Sequence, residues 1–256
     1  RLVPCRDGVG QEEVFTVRDP SEGLAGLYWR NFFGPPFVRM FGDRLLALPP
    51  GTRRMLAREV AMGWVRRGDL SRARAALASD GMDADSSAAM GWIALFEGDA
   101  ATARAMLGRG DERSADVALA LGVLARFRGA SAPEVGGAFL VLAQGDTAAA
   151  AVRFEQAARE APAAASLLLL TSARLHLAAA DTSRALAVWT DVAATHQETA
   201  EAPEAMLHLA RVLMRRGNRT AAIGHLERLV LSYPASALVP VARRELEAAR
   251  APETGA

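Results

Sequence analysis

Apolar residues recur with helical spacing from about Arg54 to Arg250, and short polar corners interrupt this pattern. A corner holds Gly or Ala followed by Asp or Asn. The first residue can adopt the left-handed conformation that ends a helix, and the second can accept hydrogen bonds from the first amides of the next helix. Five hairpins of two helices are therefore predicted. Their corners are Gly68-Asp69, Gly98-Asp99, Gly145-Asp146, Ala180-Asp181 and Gly217-Asn218.

Small residues occupy two fixed positions in every predicted hairpin. Seven residues before the corner stand Ala61, Gly91, Ala138, Ala173 and Ala210, and five residues after it stand Ala73, Ala103, Ala150, Ala185 and Ala222. Two helices approach closely only where the facing side chains are small. Nine residues after the corner a large apolar residue follows each time: Leu77, Leu107, Phe154, Trp189 and Leu226. The pattern predicts tightly paired helices with a bulky residue toward the next hairpin.

This arrangement resembles the tetratricopeptide repeat family, whose pattern places small residues at both positions and a bulky residue four after the second. The fifth unit, from Met206 to Pro234, carries the pattern most fully. The resemblance implies an all-α fold, a tetratricopeptide-like α-solenoid of about five helical hairpins. A C-terminal capping helix and a short aromatic-rich N-terminal region complete the prediction.

The spacing of the corners departs from a regular repeat between the second and third hairpins, where it reaches 47 residues. An extra helix is predicted near residues 114–128, followed by a capping box at Ser131-Ala132-Pro133-Glu134 that starts the next helix. We therefore expect an interruption of the superhelix at this place. The polar stretch near residues 236–250 predicts a capping helix, which the last unit of a solenoid needs for solubility.

Composition changes near Pro49-Pro50, which predicts an N-terminal region of residues 1–50 and a repeat domain of residues 51–256. Seven aromatic residues fall in the first fifty positions. So short a segment has too little interior to bury them alone, so we expect it to pack on the repeats. The segment from Tyr28 to Phe41 is the predicted cover of the repeat surface.

In the family, one face of each first helix lines a concave groove that holds a helix or an extended peptide. Carried over to this sequence, the groove has an apolar centre and arginines at both ends, which favours an amphipathic partner with acidic ends. Either the groove is free for such a partner, or the extra helix or the N-terminal region covers it. The predicted groove residues are Met62, Arg66, Trp92, Phe96, Phe139, Leu142, Leu170, Arg174, His208, Arg211 and Arg215.

Candidate chemistry is scarce. The chain contains no lysine, which excludes the lysine of phosphate-binding loops and of pyridoxal enzymes, and its single cysteine excludes a multi-cysteine zinc site. No catalytic motif stands in its required context, so no catalytic residue, metal or cofactor is predicted. A net charge of +1 with interspersed signs gives no nucleic-acid footprint, and no apolar run is long enough to span a membrane.

The sequence therefore predicts a non-enzymatic scaffold for protein–protein interaction. Two alternatives stay open: a regulatory repeat portion of a larger enzyme or signalling protein with its catalytic domain upstream, or a structural component of the cell envelope. The arginine-only basic residues are typical of a GC-rich bacterial genome. Localisation stays open between the bacterial cytoplasm and the envelope, and so do the partner's identity and the oligomeric state.

Overall fold

The computed structural model describes residues 50–78, 84–109 and 114–251. The N-terminal region predicted for residues 1–50, with the covering segment from Tyr28 to Phe41, lies outside these ranges except for Pro50. The chain forms two compact units, Arg1–Gly81 and Met82–Ala256. Regular structure in the described ranges is helical without a β-strand, which confirms the all-α prediction.

The first unit contributes one described hairpin, formed by α1 (Pro50–Arg66) and α2 (Leu70–Ala78). Trp64 is buried at the end of α1. The guanidinium groups of Arg67 and Arg72 lie over its ring, at 5.2 and 4.6 Å from the centroid. These cation–π contacts hold the corner between the two helices.

The second unit contains ten described α-helices, and most of them pack against the next helix in the chain. They are α3 (Ala84–Phe96), α4 (Ala100–Leu107), α5 (Ala115–Arg126), α6 (Pro133–Gln144), α7 (Thr147–Glu160), α8 (Ala165–Ala178), α9 (Thr182–Thr195), α10 (Glu201–Arg215), α11 (Arg219–Ser232) and α12 (Val239–Arg250). A short 3₁₀-helix, Pro162–Ala164, precedes α8. Among the described helices, none is long and apolar enough to cross a membrane.

All five predicted corners are confirmed. Each corner residue has a positive φ, between 64° at Ala180 and 92° at Gly145. The Asp or Asn that follows accepts a hydrogen bond from a backbone amide three residues later, at 2.9–3.2 Å. Because both features depend only on local residues, the corner dipeptide is enough to predict where the two helices of each hairpin meet.

The small residues lie between paired helices, as predicted. The nine alanines at these positions are at most 1% exposed. The two helices also approach closely at Gly91, since a methyl group at its position would lie 2.8 Å from the amide nitrogen of Leu107. The five large residues after the corners are also buried, with Phe154 and Trp189 completely enclosed. Close approach of the helices therefore follows from residue size.

From the third hairpin onward, each second helix packs on the helix that follows it, as α7 does on α8, α9 on α10 and α11 on α12. The connection between the second and third hairpins is different. Helix α6 packs directly on α3, and the inserted helix α5 packs on α4 and on the start of α8. The extra helix predicted near residues 114–128 is thus present as α5, placed beside the hairpin series.

The predicted capping box at the start of α6 is wrong. Ala132, and not Ser131, is the N-cap residue of α6, it makes no side-chain capping bond, and Pro133 opens the helix. The amide of Ala132 donates instead to the carbonyl of Gly98, at 2.8 Å. Since the corner of the second hairpin binds this segment, tertiary contacts replace the local cap.

Candidate partner-binding surface

One face of α10 carries a row of charged and titratable residues. Glu201, Glu204, His208, Arg211 and Arg215 follow one another at intervals of three and four residues, so they lie on a single side of the helix. We call this row the α10 stripe. Its first two members are acidic and its last two are basic, so the charge changes sign along the helix.

Neighbouring helices pair with most of the α10 stripe. Arg174 of α8 forms an ion pair with Glu204. Arg211 donates two hydrogen bonds to Glu245 of α12, at 2.7 and 2.9 Å. Arg215 is exposed and has no ion-pair partner within the described part of the chain. The basic end of the stripe therefore keeps one unpaired positive charge.

His208 lies at the centre of the stripe, against the buried ring of Trp189. The two rings are stacked, with centroids 5.0 Å apart and an angle of 8° between their planes. Burial, together with the positive charges of Arg174, Arg211 and Arg215, lowers the pKa of His208 to about 4. The imidazole is therefore neutral at physiological pH, and the three arginines share one surface with it.

The other predicted groove residues divide between the two units. Met62 and Arg66 lie on α1 in the first unit, and both are partly exposed. In the second unit, Trp92 packs on Phe96 and Phe139, with ring centroids 5.8 and 5.9 Å apart. The structure thus brings the predicted aromatic residues of α3 and α6 together.

Several of the predicted groove residues are buried. Phe96, Phe139 and Leu170 are between 1% and 6% exposed, and Leu142 is half-buried. Among the predicted groove residues of the second unit, Arg174 and Arg215 are exposed, and Trp92, Leu142, His208 and Arg211 are partly exposed. Accessibility and charge therefore concentrate on α8 and α10.

A buried ion cluster on α7, α8 and α9 has no counterpart in the sequence prediction. Glu155 of α7 accepts from Arg184 of α9 at 3.0 Å, and it lies 2.8 Å from Nε2 of His176 of α8. Burial alone would raise the pKa of Glu155, but the hydrogen bonds from Arg184 and His176 bring it below the ordinary value. This cluster ties three helices together beside a cleft of 310 Å³ that is lined by residues of α7, α8 and α9.

A second buried cluster joins α5 to α8 and α10, the first helices of the fourth and fifth hairpins. Arg126, the last residue of α5, donates to Glu201 at 2.7 Å, and the hydroxyl of Ser166 donates to the other oxygen of the same carboxylate at 2.9 Å. The two members of the ion pair are 75 positions apart in the chain. No local pattern in the sequence indicates such a pair.

The described residues contain no group of three or more His, Cys, Asp or Glu side chains that could hold a metal ion. The surface offers ion pairing, hydrogen bonding and partly exposed apolar side chains.

The comparisons agree with this architecture. The family model described as "Tetratricopeptide repeat" matches residues 204–236, which comprise most of α10, all of α11 and the turn after it. This is the unit in which the sequence pattern is fullest. No curated protein and no solved structure matches the chain. With a matching repeat and helices packed in adjacent pairs, the chain is a tetratricopeptide-like helical repeat protein.

Proposed function

We propose that this chain is a non-enzymatic interaction module that binds an acidic segment of a protein partner along the α10 stripe. Tetratricopeptide repeats generally mediate protein–protein interaction, and the family is typically non-catalytic. The partner segment is a helix or an extended peptide. A regulatory portion of a larger enzyme or a component of the cell envelope could bind its partner through the same stripe.

The observation that carries the proposal is the convergence of three arginines on His208. Arg174 pairs with Glu204, whose carboxylate lies 3.4 Å from Nε2 of His208, and Arg211 and Arg215 follow His208 by three and seven residues on the same face of α10. Glu204 and Glu245 pair with the first two, which leaves the charge of Arg215 available. A carboxylate on the partner would meet Arg215 directly, without having to displace an existing ion pair.

Apolar contact would accompany the charge. Met214 stands beside Arg215 and exposes 38% of its surface, although large apolar residues are mostly buried in this chain. His208 adds a neutral ring with 26% of its side chain exposed. A partner with one apolar side chain close to its carboxylates fits this surface, since methionine adapts to side chains of varied shape.

The test uses a fluorescein-labelled amphipathic peptide with glutamates on its polar face, titrated with the full chain and followed by fluorescence anisotropy. Arg215→Glu is the test variant. Arg216→Glu is the matched control, because Arg216 is also exposed, is adjacent in sequence and changes the net charge equally. We expect Arg215→Glu to weaken binding by roughly 5- to 10-fold and the control by less than about twofold.

Two outcomes count against the proposal. If both variants weaken binding equally, the peptide responds to net charge and not to the stripe. If the peptide does not bind the wild-type chain, or a peptide with lysines in place of the glutamates binds as well, an acidic partner is the wrong class.

A further inference from the structure

The inserted helix α5 lies outside the hairpin series and is held from two sides. On one side the guanidinium of Arg104 of α4 donates to the carbonyls of Leu124 and Phe127, at 2.6–3.1 Å. On the other side Gly122 faces Leu167 of α8, since a methyl group at Gly122 would lie 3.2 Å from Cδ2 of that leucine. Helix α5 therefore covers the first turn of α8.

The far end of α5 reaches the α10 stripe itself. Arg126 pairs with Glu201, the first member of the stripe, and Ser166 bonds to the same carboxylate. Glu201 is only 6% exposed. Burial alone would raise its pKa, but the hydrogen bonds from Arg126 and Ser166 hold the pKa below the ordinary value, so the ion pair is formed at neutral pH.

Helix α5 is anchored too firmly to behave as a mobile lid. Four of its apolar side chains are at most 3% exposed: Val117, Ala120, Val123 and Leu124. Releasing α5 would expose this surface to water and leave the carboxylate of Glu201 buried without its cation. The helix is a permanent part of the fold.

From this geometry, and resting on the proposed function, we propose that α5 is a fixed stop at one end of the partner surface. It occupies the place beside Glu201 into which a longer partner would extend. The open part of the stripe runs from Glu204 to Arg215. At 1.5 Å per residue this is about 16 Å, which a partner helix of about three turns would fill. The stop thus selects a short acidic segment, or one that turns away at Glu204.

The stop is tested with a length series of the labelled acidic peptide, of about 8, 12, 18 and 24 residues, each stapled to hold equal helicity. Binding to the full chain is measured by anisotropy. We expect the dissociation constant to fall at least tenfold from the shortest peptide to the second, and to change by less than twofold beyond it.

Hydrogen exchange provides a second measurement on the same samples. If α5 is fixed, the amides of residues 115–126 keep their protection at saturating peptide. The stop is refuted if affinity continues to rise up to the longest peptide, or if the peptide accelerates exchange in α5 as it displaces the helix. If no peptide of any length binds to the folded chain, the proposed function fails, and the stop fails with it.

Discussion

The direct packing of α6 on α3 can be tested by adding one methyl group. Gly136 and Gly137 are neighbours in α6 but have opposite surroundings. A Cβ atom at Gly136 would lie 2.0 Å from the carbonyl oxygen of Leu95 and 3.1 Å from the amide nitrogen of Gly98. A Cβ atom at Gly137 would meet nothing within 4 Å. Because the neighbours of Gly136 are backbone atoms, Gly136→Ala can be accommodated only if α6 moves away from α3.

The two substitutions share the same intrinsic effect on the helix. Replacing a glycine in a helix interior by alanine stabilises by roughly 0.5–1 kcal/mol. Gly137→Ala should therefore raise the free energy of unfolding by about this amount. Gly136→Ala has the same gain, but overpacking costs roughly 1–3 kcal/mol, and backbone neighbours place it at the upper end. We expect a gap between the variants on the order of 2–3 kcal/mol.

Thermal unfolding followed by far-ultraviolet circular dichroism measures this gap, with urea unfolding as a check. For a domain of this size, 1 kcal/mol shifts the melting temperature by roughly 2–4 °C, so we expect a difference of about 5–10 °C. Equal melting temperatures for the two variants, or Gly136→Ala at or above the wild-type value, would refute the close α3–α6 contact.

Three further predictions concern the small residues, the histidine and the corners. Ala150→Leu should destabilise by ~1–3 kcal/mol while Ala148→Leu, on the exposed side of α7, should stay within about 0.5 kcal/mol; equal unfolding midpoints in urea would contradict the predicted packing. The pKa of His208 is lowered from 6.5 to about 4 in the folded state. The neutral ring therefore contributes up to about 3 kcal/mol to the free energy of unfolding above pH 6.5, and this contribution is lost as the pH falls toward 4. His208→Gln should flatten the pH profile of urea unfolding in this window, and an unchanged slope would show that the folded state does not hold the ring neutral. Ala180→Gly should stabilise and Gly145→Ala should destabilise, each by up to about 1 kcal/mol, because both corners have positive φ; melting shifts of the same sign would refute this.

The sequence predicts the hairpins well because their determinants are local. A corner such as Gly145-Asp146 specifies its own turn, and Ala138 and Ala150 specify the contact between the two flanking helices. The resemblance adds which face of a first helix is turned inward. These steps need only the spacing of residues within one hairpin.

The depth at which a side chain is buried and the contacts between distant parts of the chain cannot be predicted in this way. The depth of Phe139 depends on how closely α6 approaches α3, and this depends on Gly136, whose role the repeat pattern does not include. The ion pair of Arg126 and Glu201 joins residues 75 positions apart and lies outside the repeat pattern. The burial of Phe96, Phe139 and Leu170 likewise depends on contacts between helices, and their spacing in the sequence does not reveal it.

The placement of α5 has a consequence for how such a chain can change in length. Solenoid proteins gain or lose whole units readily because each unit contacts only its neighbours. Here α5 contacts α4 of the second hairpin and α8 of the fourth, and its Arg126 pairs with Glu201 of the fifth. The third hairpin is thus bridged by a helix of fixed length. Deleting or duplicating that hairpin would separate Arg126 from its carboxylate, so this part of the array is constrained to one number of units.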